Sequence, residues 1–249
     1  MPELTLKDDF HAALENYHLS DSAKQILHKT KLVVLTAPTA SGRNTIINEL
    51  LRTNQYNFIV SDTTRPPREN NGILEQNGRE YFFRNEQDML QDIKDGNFLE
   101  AEVIHEQQVS GISIRELAKA GEENRVAIAD TDIGGISNII SLKPDAIAVL
   151  VLPPSFEVWH ERIFSRGEML DDEYGRRLKT AARILHSGIE ENSIFKIIIN
   201  DDLTDAAEQI HELVHNETFT PEQHEKGVAL ARELLAETES ALALLTIEC

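Results

Sequence analysis

The stretch KLVVLTAPTASGRNTIINELL, residues 31–51, passes from an apolar β-branched segment through small residues into a helical pattern. In parallel α/β folds such a turn aims backbone N–H groups and a helix N-terminus at an anion, and small side chains let a phosphate approach. Set against G-x-x-x-x-G-K-[ST], the chain keeps Gly42 but has Ala37 at the first glycine, Arg43 at the lysine and Asn44 at the hydroxyl residue. Ala40, Ser41, Gly42, Arg43, Asn44 and Thr45 are therefore the candidate triphosphate cradle. Arg43 preserves the charge of lysine but not its shape, because a guanidinium is wide and wants a fork-shaped acceptor. Asn44 offers a neutral amide oxygen where Mg2+ would meet a hydroxyl, a poor exchange for a cation with a strict octahedron. A second pattern, HELVH at 211–215, fits H-E-x-x-H, with His211 and His215 as zinc ligands and Glu212 as base. Thr218 and Pro221 occupy the places of the usual extension, so the expectation is a coincidental match on a helix and no metal site.

Elements must exist to hold such a loop. Apolar runs at 31–36, 57–61, 125–130, 146–154 and 196–200 read as five buried strands, with helical patterns between most of them. This alternation predicts an α/β fold built on a five-stranded, mainly parallel sheet covered by helices on both faces. Residues 61–113, richer in Arg, Glu, Asn and Gly, read as an inserted subdomain. Residues 1–30 form an N-terminal extension, with one amphipathic helix over 4–18. Residues 216–249 form a C-terminal one, a helix capped by Thr220 with Pro221 and Gln223 in its first turn. Its apolar stripe is read as Val228, Ala231, Leu235, Leu242 and Leu245. Each terminal helix is expected on its own core, with a homodimer contact as the alternative.

Composition narrows the partners. The chain has 249 residues, a formal net charge of -19 and a single cysteine, Cys249. So acidic a surface repels phosphate backbones, which argues against nucleic acid. No apolar run reaches membrane-spanning length, and the first residues lack the n- and h-regions of a secretory signal, so the expected setting is cytoplasmic, away from membranes.

After the second strand come SDTTRPPRENNGILEQNGREYFF and GNFLEAEVI, then VAIADTDIGGI, KPDAIAVLVLPPSFEVWHERIFSRG, RRLKTAA and IIINDDL. With the loop, this series resembles the guanylate kinase family from about Lys31 to Val214. The resemblance implies a three-layer fold of the P-loop NTPase type, with a kinase-like domain over 31–215, a monophosphate-binding subdomain at 61–113 and a helical lid at 155–190. It implies transfer of a phosphoryl group from ATP to GMP with Mg2+. Ser61, Arg65, Arg68 and Tyr81 match the family's grip on the acceptor phosphate, and two guanidinium forks with two hydroxyls suit a dianion. Glu100 matches the carboxylate facing the guanine edge, and Asp130 and Asp132 the acidic pair at a strand end. Arg162, Arg166 and Arg177 match the lid arginines, which with Arg43 would be the catalytic cations, since this chemistry is positioning and charge neutralisation. Asn200 matches the segment near the adenine.

The chain departs from the pattern in places. Ser110 and Ile112 stand where a tyrosine and a base-reading hydroxyl are expected, with Ser113 as a stand-in if the backbone shifts by one. The loop from Arg68 to Tyr81 is about four residues longer, by alignment to the family pattern, and Gly134 replaces a glutamine. Ala37 and Ala40 stand at glycines, and if those places need a left-handed backbone the loop must be rebuilt. These departures keep a second reading open, a non-catalytic nucleotide- or protein-binding module.

Overall fold

A strand covered by helices on both faces reads as a near-continuous apolar run, and LVVLT at 32–36 and IAVLVL at 147–152 show it. The computed structural model describes residues 3–70, 72–165 and 169–247. In chain order its elements are α1 (Lys7–Glu15), α2 (Asp21–Lys29), β1 (Leu32–Thr36), α3 (Arg43–Arg52), β2 (Tyr56–Phe58), β3 (Asp62–Thr63), β4 (Glu69–Asn70), β5 (Ile73–Leu74) and β6 (Phe82–Phe83). Then follow α4 (Glu86–Lys94), β7 (Phe98–Ile104), β8 (Gln108–Ser113), α5 (Ile114–Glu122), β9 (Val126–Asp130), α6 (Ile133–Leu142) and β10 (Ile147–Leu152). The chain closes with α7 (Phe156–Phe164), α8 (Asp171–Glu190), β11 (Phe195–Ile199), α9 (Leu203–Asn216) and α10 (Pro221–Ile247). The expected five strands form one sheet in the order β11-β10-β1-β9-β2, and the pairs β1–β10, β10–β11 and β2–β9 are parallel. The fold is α/β, as the alternation of segments required.

Two units divide the described chain, 1–32 with 55–129 and 141–144, and 33–54 with 130–140 and 145–249. In the first, a smaller sheet β6-β3-β8-β7 carries the acceptor motifs. The extra residues after Arg68 fold as a short antiparallel hairpin, β4 with β5. The N-terminal extension is two helices where the sequence suggested one. Ser20 starts the second by accepting from the Ala23 N–H at 3.2 Å, a cap whose signal lay in the run SDSAKQIL. Phe10 of α1 is buried with Met89, Leu90, Ile93 and Phe98.

In the second unit α10 packs on α7, α8 and β11, and α9 on α3 and β11. Gly188 of α8 lies so close to Leu150 that a Cβ would meet it at 2.4 Å, and Gly227 of α10 lies likewise against Ile197, at 2.7 Å. The buried positions of α10 are Gly227, Ala231, Leu234 and Thr238. The expected Ala231 is among them and the expected Leu242 and Leu245 pack on the cluster around Trp159, while Gly227 and Leu234 are buried in place of the neighbouring Val228 and Leu235. The helix turns small residues toward its own sheet and toward α8 because backbones approach there. Apolarity alone does not show that.

Candidate active site

The donor loop is built in the second unit. Strand β1 ends at Thr36, and the chain turns through Ala40 (φ +63°) and Gly42 (φ +91°) before α3 starts. Consecutive N–H groups around left-handed residues make a concave nest for anions. Helices α2, α4, α5, α7 and α9 each begin with a side-chain cap, from Ser20, Asn85, Ser113, Ser155 and Asp202. Helix α3 has no side-chain cap and no acidic residue in its first turn. The Thr45 and Ile46 N–H groups turn back onto the Gly42 carbonyl, and the positive end of the helix dipole is left without a capping side chain.

Two buried groups brace this loop from the protein side. Asn200, 6 % exposed, donates its amide to the Ser41 carbonyl at 2.7 Å. A Cβ at Gly42 would strike that amide nitrogen at 2.0 Å, so Gly42 is required by both its backbone angle and its neighbour. Trp159 donates its indole N–H to the Thr39 carbonyl at 2.7 Å. The methyl of Ala40 packs on the cluster of Trp159, Ile163, Tyr174, Leu178 and Ala181, which offsets a left-handed strain of about 1–2 kcal/mol. The expected rebuilding at Ala40 is thus corrected: the left-handed place is kept by an alanine whose side chain has something to bury against. Ala37 is not among the left-handed residues. The Ser41 hydroxyl is buried with no hydrogen-bond partner.

Arg43 and Asp130, assigned to opposite ends of the reaction, come together. The guanidinium pairs with the Asp130 carboxylate at 2.5 Å and donates from Nε to the Asn44 side-chain oxygen at 3.2 Å. That oxygen is then a weak candidate for Mg2+. Asp132 accepts from the Gly135 N–H at 2.8 Å and so caps α6. Arg162 donates to the Asn200 carbonyl at 3.1 Å, which ties this lid arginine to the loop brace. Arg177 pairs with Glu173 one turn earlier, at 2.5 Å. Arg166 lies outside the described residues. Thr45 donates its N–H to the Gly42 carbonyl at 3.0 Å in the first turn of α3.

The residues expected to hold the acceptor lie in the first unit, around β3, β6 and β7. Arg65 is buried, with its side chain only 4 % exposed, and sits 4.7 Å above the Tyr81 ring and 5.6 Å from that of Phe83. It forms a two-pronged ion pair with Glu75 at 2.5 and 3.0 Å. Glu75 also accepts from the Arg68 N–H at 2.9 Å. The Arg65 guanidinium, helped by that N–H, pulls the Glu75 carboxyl from its ordinary value near 4.5 down to about 2. Sequence reasoning missed Glu75. Its signal was indirect: an arginine bound for burial requires a carboxylate partner, and Glu75 stands in the same loop. Ser61 accepts from the Phe82 N–H through its carbonyl, which joins it to the strand beside Tyr81. Below it, fully buried Asp62 holds Arg84 at 2.5 Å and Arg115 at 2.8 Å, a second ionic support that the sequence did not advertise.

Glu100 lies on β7 opposite Ile112 of β8. Ser110, at the expected tyrosine, shares a 2.8 Å hydrogen bond with the Thr63 hydroxyl. Ser113, the suggested stand-in for the base-reading hydroxyl, instead caps α5 by accepting from the Arg115 N–H at 3.2 Å. HELVH lies in α9, where the rings of His211 and His215 are 4.4 Å apart.

Comparison with known proteins agrees with this layout. The family model described as guanylate kinase matches residues 29–217. The chain is 37% identical over 188 residues to a guanylate kinase of Corynebacterium glutamicum, covering 74% of this chain and 94% of that one. With the guanylate kinase of Sus scrofa the identity is 31% over 187 residues, covering 74% and 92%. The crystal structure of guanylate kinase from Anaplasma phagocytophilum superposes with a TM-score of 0.55 at 21% identity, over 79% of this chain and 90% of that one, which speaks for the fold. A phosphate loop held in its left-handed bend, a cluster of arginines with a tyrosine, and matches that run through both units together show that the chain belongs to the guanylate kinase family.

Proposed function

We propose that the chain transfers the γ-phosphoryl group of ATP to GMP, giving ADP and GDP. The observation that carries this reading is the donor loop: its left-handed bend at Ala40 and Gly42 runs into an uncapped helix start although its sequence has drifted. Backbone N–H groups do most of the work of a phosphate loop, so altered side chains leave it able to hold a triphosphate. Mg2+ would be held chiefly by the phosphates and water, since the Asn44 oxygen is engaged by Arg43. Its chemistry would be to neutralise charge on the transferring group. Arg162, Arg166 and Arg177 would close on that group. Arg65, Arg68, Tyr81 and Ser61 would hold the acceptor phosphate, with Glu100 accepting from guanine N1–H and N2–H2. Adenine offers a bare N1 there, so GMP is preferred over AMP. The single cysteine and the short apolar runs support a reducing, cytoplasmic setting. The buried stripe of α10 supports its packing within the chain over a homodimer contact.

The test is incubation with Mg-ATP and a panel of nucleoside monophosphates, with diphosphate products separated and counted. GDP is expected as the main product, and Glu100→Gln should erase the preference for GMP over AMP in calorimetry. No diphosphate, and no ATP binding at millimolar concentration by protein with intact circular dichroism, would leave the non-catalytic module as the reading.

A further inference from the structure

Strand β7 is the edge of the acceptor sheet, and edge strands present unpaired N–H and C=O groups. At Phe98 these groups have a partner from far away in sequence. The hydroxyl of Tyr17 accepts from the Phe98 N–H at 2.8 Å and donates to the Phe98 carbonyl. The Ile114 N–H donates to the Asn97 carbonyl at 2.9 Å, so Phe98 and Ser113 form a wide, non-hydrogen-bonded pair and the polar groups of Phe98 face the open side. Burial holds the Tyr17 hydroxyl above its ordinary pKa, so it remains a donor at neutral pH.

The place matters because the ladder is irregular there. Phe98 pairs with Ser113, but the next pair is Glu100 with Ile112, so one extra residue enters β7 between them. Such a bulge re-aims the side chain that follows it, and a slip of one residue would send that side chain to the other face. The side chain that follows is Glu100. Its neighbourhood leaves no slack: a Cβ at Gly111 would lie 2.4 Å from the Glu100 carbonyl and 2.8 Å from the Phe98 ring. Tyr17 is itself held firmly. Phe10 is buried beside Phe98, the Thr5 hydroxyl donates to Glu86 at 2.8 Å, and the Leu4 N–H donates to the Glu106 carbonyl at 3.1 Å.

We infer that Tyr17, in the extension preceding the family-matched span, is a positioning residue for base recognition: it locks the bulge that aims Glu100 at the guanine edge. The extension is then part of the acceptor site. This inference rests on the reading of Glu100 as the guanine acceptor, and the experiment separates the two.

Tyr17→Phe removes the hydroxyl and keeps the ring. The expected result is a rise in KM for GMP of about tenfold, the worth of one well-placed hydrogen-bond pair, with kcat and KM for ATP within about twofold. Glu100→Gln should raise KM for GMP at least as much, and adding Tyr17→Phe to it should change little further, since both act on one contact. If Glu100→Gln raises KM while Tyr17→Phe lowers only the melting temperature, Tyr17 is merely structural and the inference is overturned. If Glu100→Gln leaves KM for GMP unchanged, the acceptor reading of Glu100 fails, and with it the role given to Tyr17. Should Tyr17→Phe yield no folded protein, amide exchange on the unaltered chain decides: GMP must slow exchange at Phe98, and an unchanged rate overturns the inference.

Discussion

The proposed acceptor set and the proposed donor loop depart from the family pattern in opposite ways. Around β3 and β6 the side chains expected of the family are present, and the structure has already given one of them a partner, Arg65 to Glu75. In the donor loop the side chains have changed at four places, yet the backbone still bends through two left-handed residues. The contrast follows from what touches phosphate in each. An arginine fork binds through its own guanidinium, so losing the residue loses the contact. A phosphate loop binds through N–H groups that any residue possesses, so its sequence drifts as long as its angles survive. The angles survive here because Asn200, Trp159 and the cluster beneath Ala40 support them from outside the loop.

That contrast breaks most visibly at Arg65. In a chain carrying Glu75→Ala, so that no buried carboxylate is left unpaired, Arg65→Ala should lower kcat/KM for GMP by about 10^3, two charge-assisted hydrogen bonds' worth. A change under about tenfold in steady-state assays would mean that Arg65 serves only the fold.

Next in size is Gly42→Ala. Its Cβ would meet the Asn200 amide at 2.0 Å in a left-handed residue, and strain of a few kcal/mol should raise KM for ATP by about 10^2. Binding of GMP, measured by calorimetry, should be unaffected. An unchanged KM for ATP would detach phosphate binding from the backbone of this loop.

A smaller effect, of opposite sign, is expected from Arg43→Lys with Asn44→Ser. Since the bend at Ala40 is kept, lysine and serine would find the path they suit, and GMP-dependent turnover should rise about threefold to tenfold, one hydrogen bond's worth. A fall would show that the pairing of Arg43 with Asp130 is part of the working site.

The smallest is Ala40→Gly. Relief of left-handed strain and loss of a partly buried methyl nearly cancel, so stability should change by less than about 1 kcal/mol and turnover by less than about twofold. A large loss of turnover would show that the alanine methyl, beyond the backbone angle, shapes the loop.

Strand positions were legible from the sequence because a parallel sheet buried on both faces leaves a continuous apolar run, as in LVVLT of β1. The arginine series could be nominated from the sequence because its spacing is local, within single loops and helices. The stripe of α10 was legible at Ala231, Leu242 and Leu245 but off by one at Val228 and Leu235, because close packing on Ile197 of β11 selects Gly227, and hydrophobicity does not encode that. The second N-terminal helix was overlooked because its only strong mark is a serine cap.

By itself, then, the sequence determined the α/β alternation, the family and the inventory of cations, for these follow from periodicity and short spacings. Tertiary structure alone decided who meets whom: Glu75 with Arg65, Asp130 with Arg43, Asn200 with Ser41, and Tyr17 with Phe98 across 81 residues of chain. The reason is physical. A buried polar group must find a partner or lose several kcal/mol, but any residue brought near by folding can be that partner. Linear spacing carries no record of it.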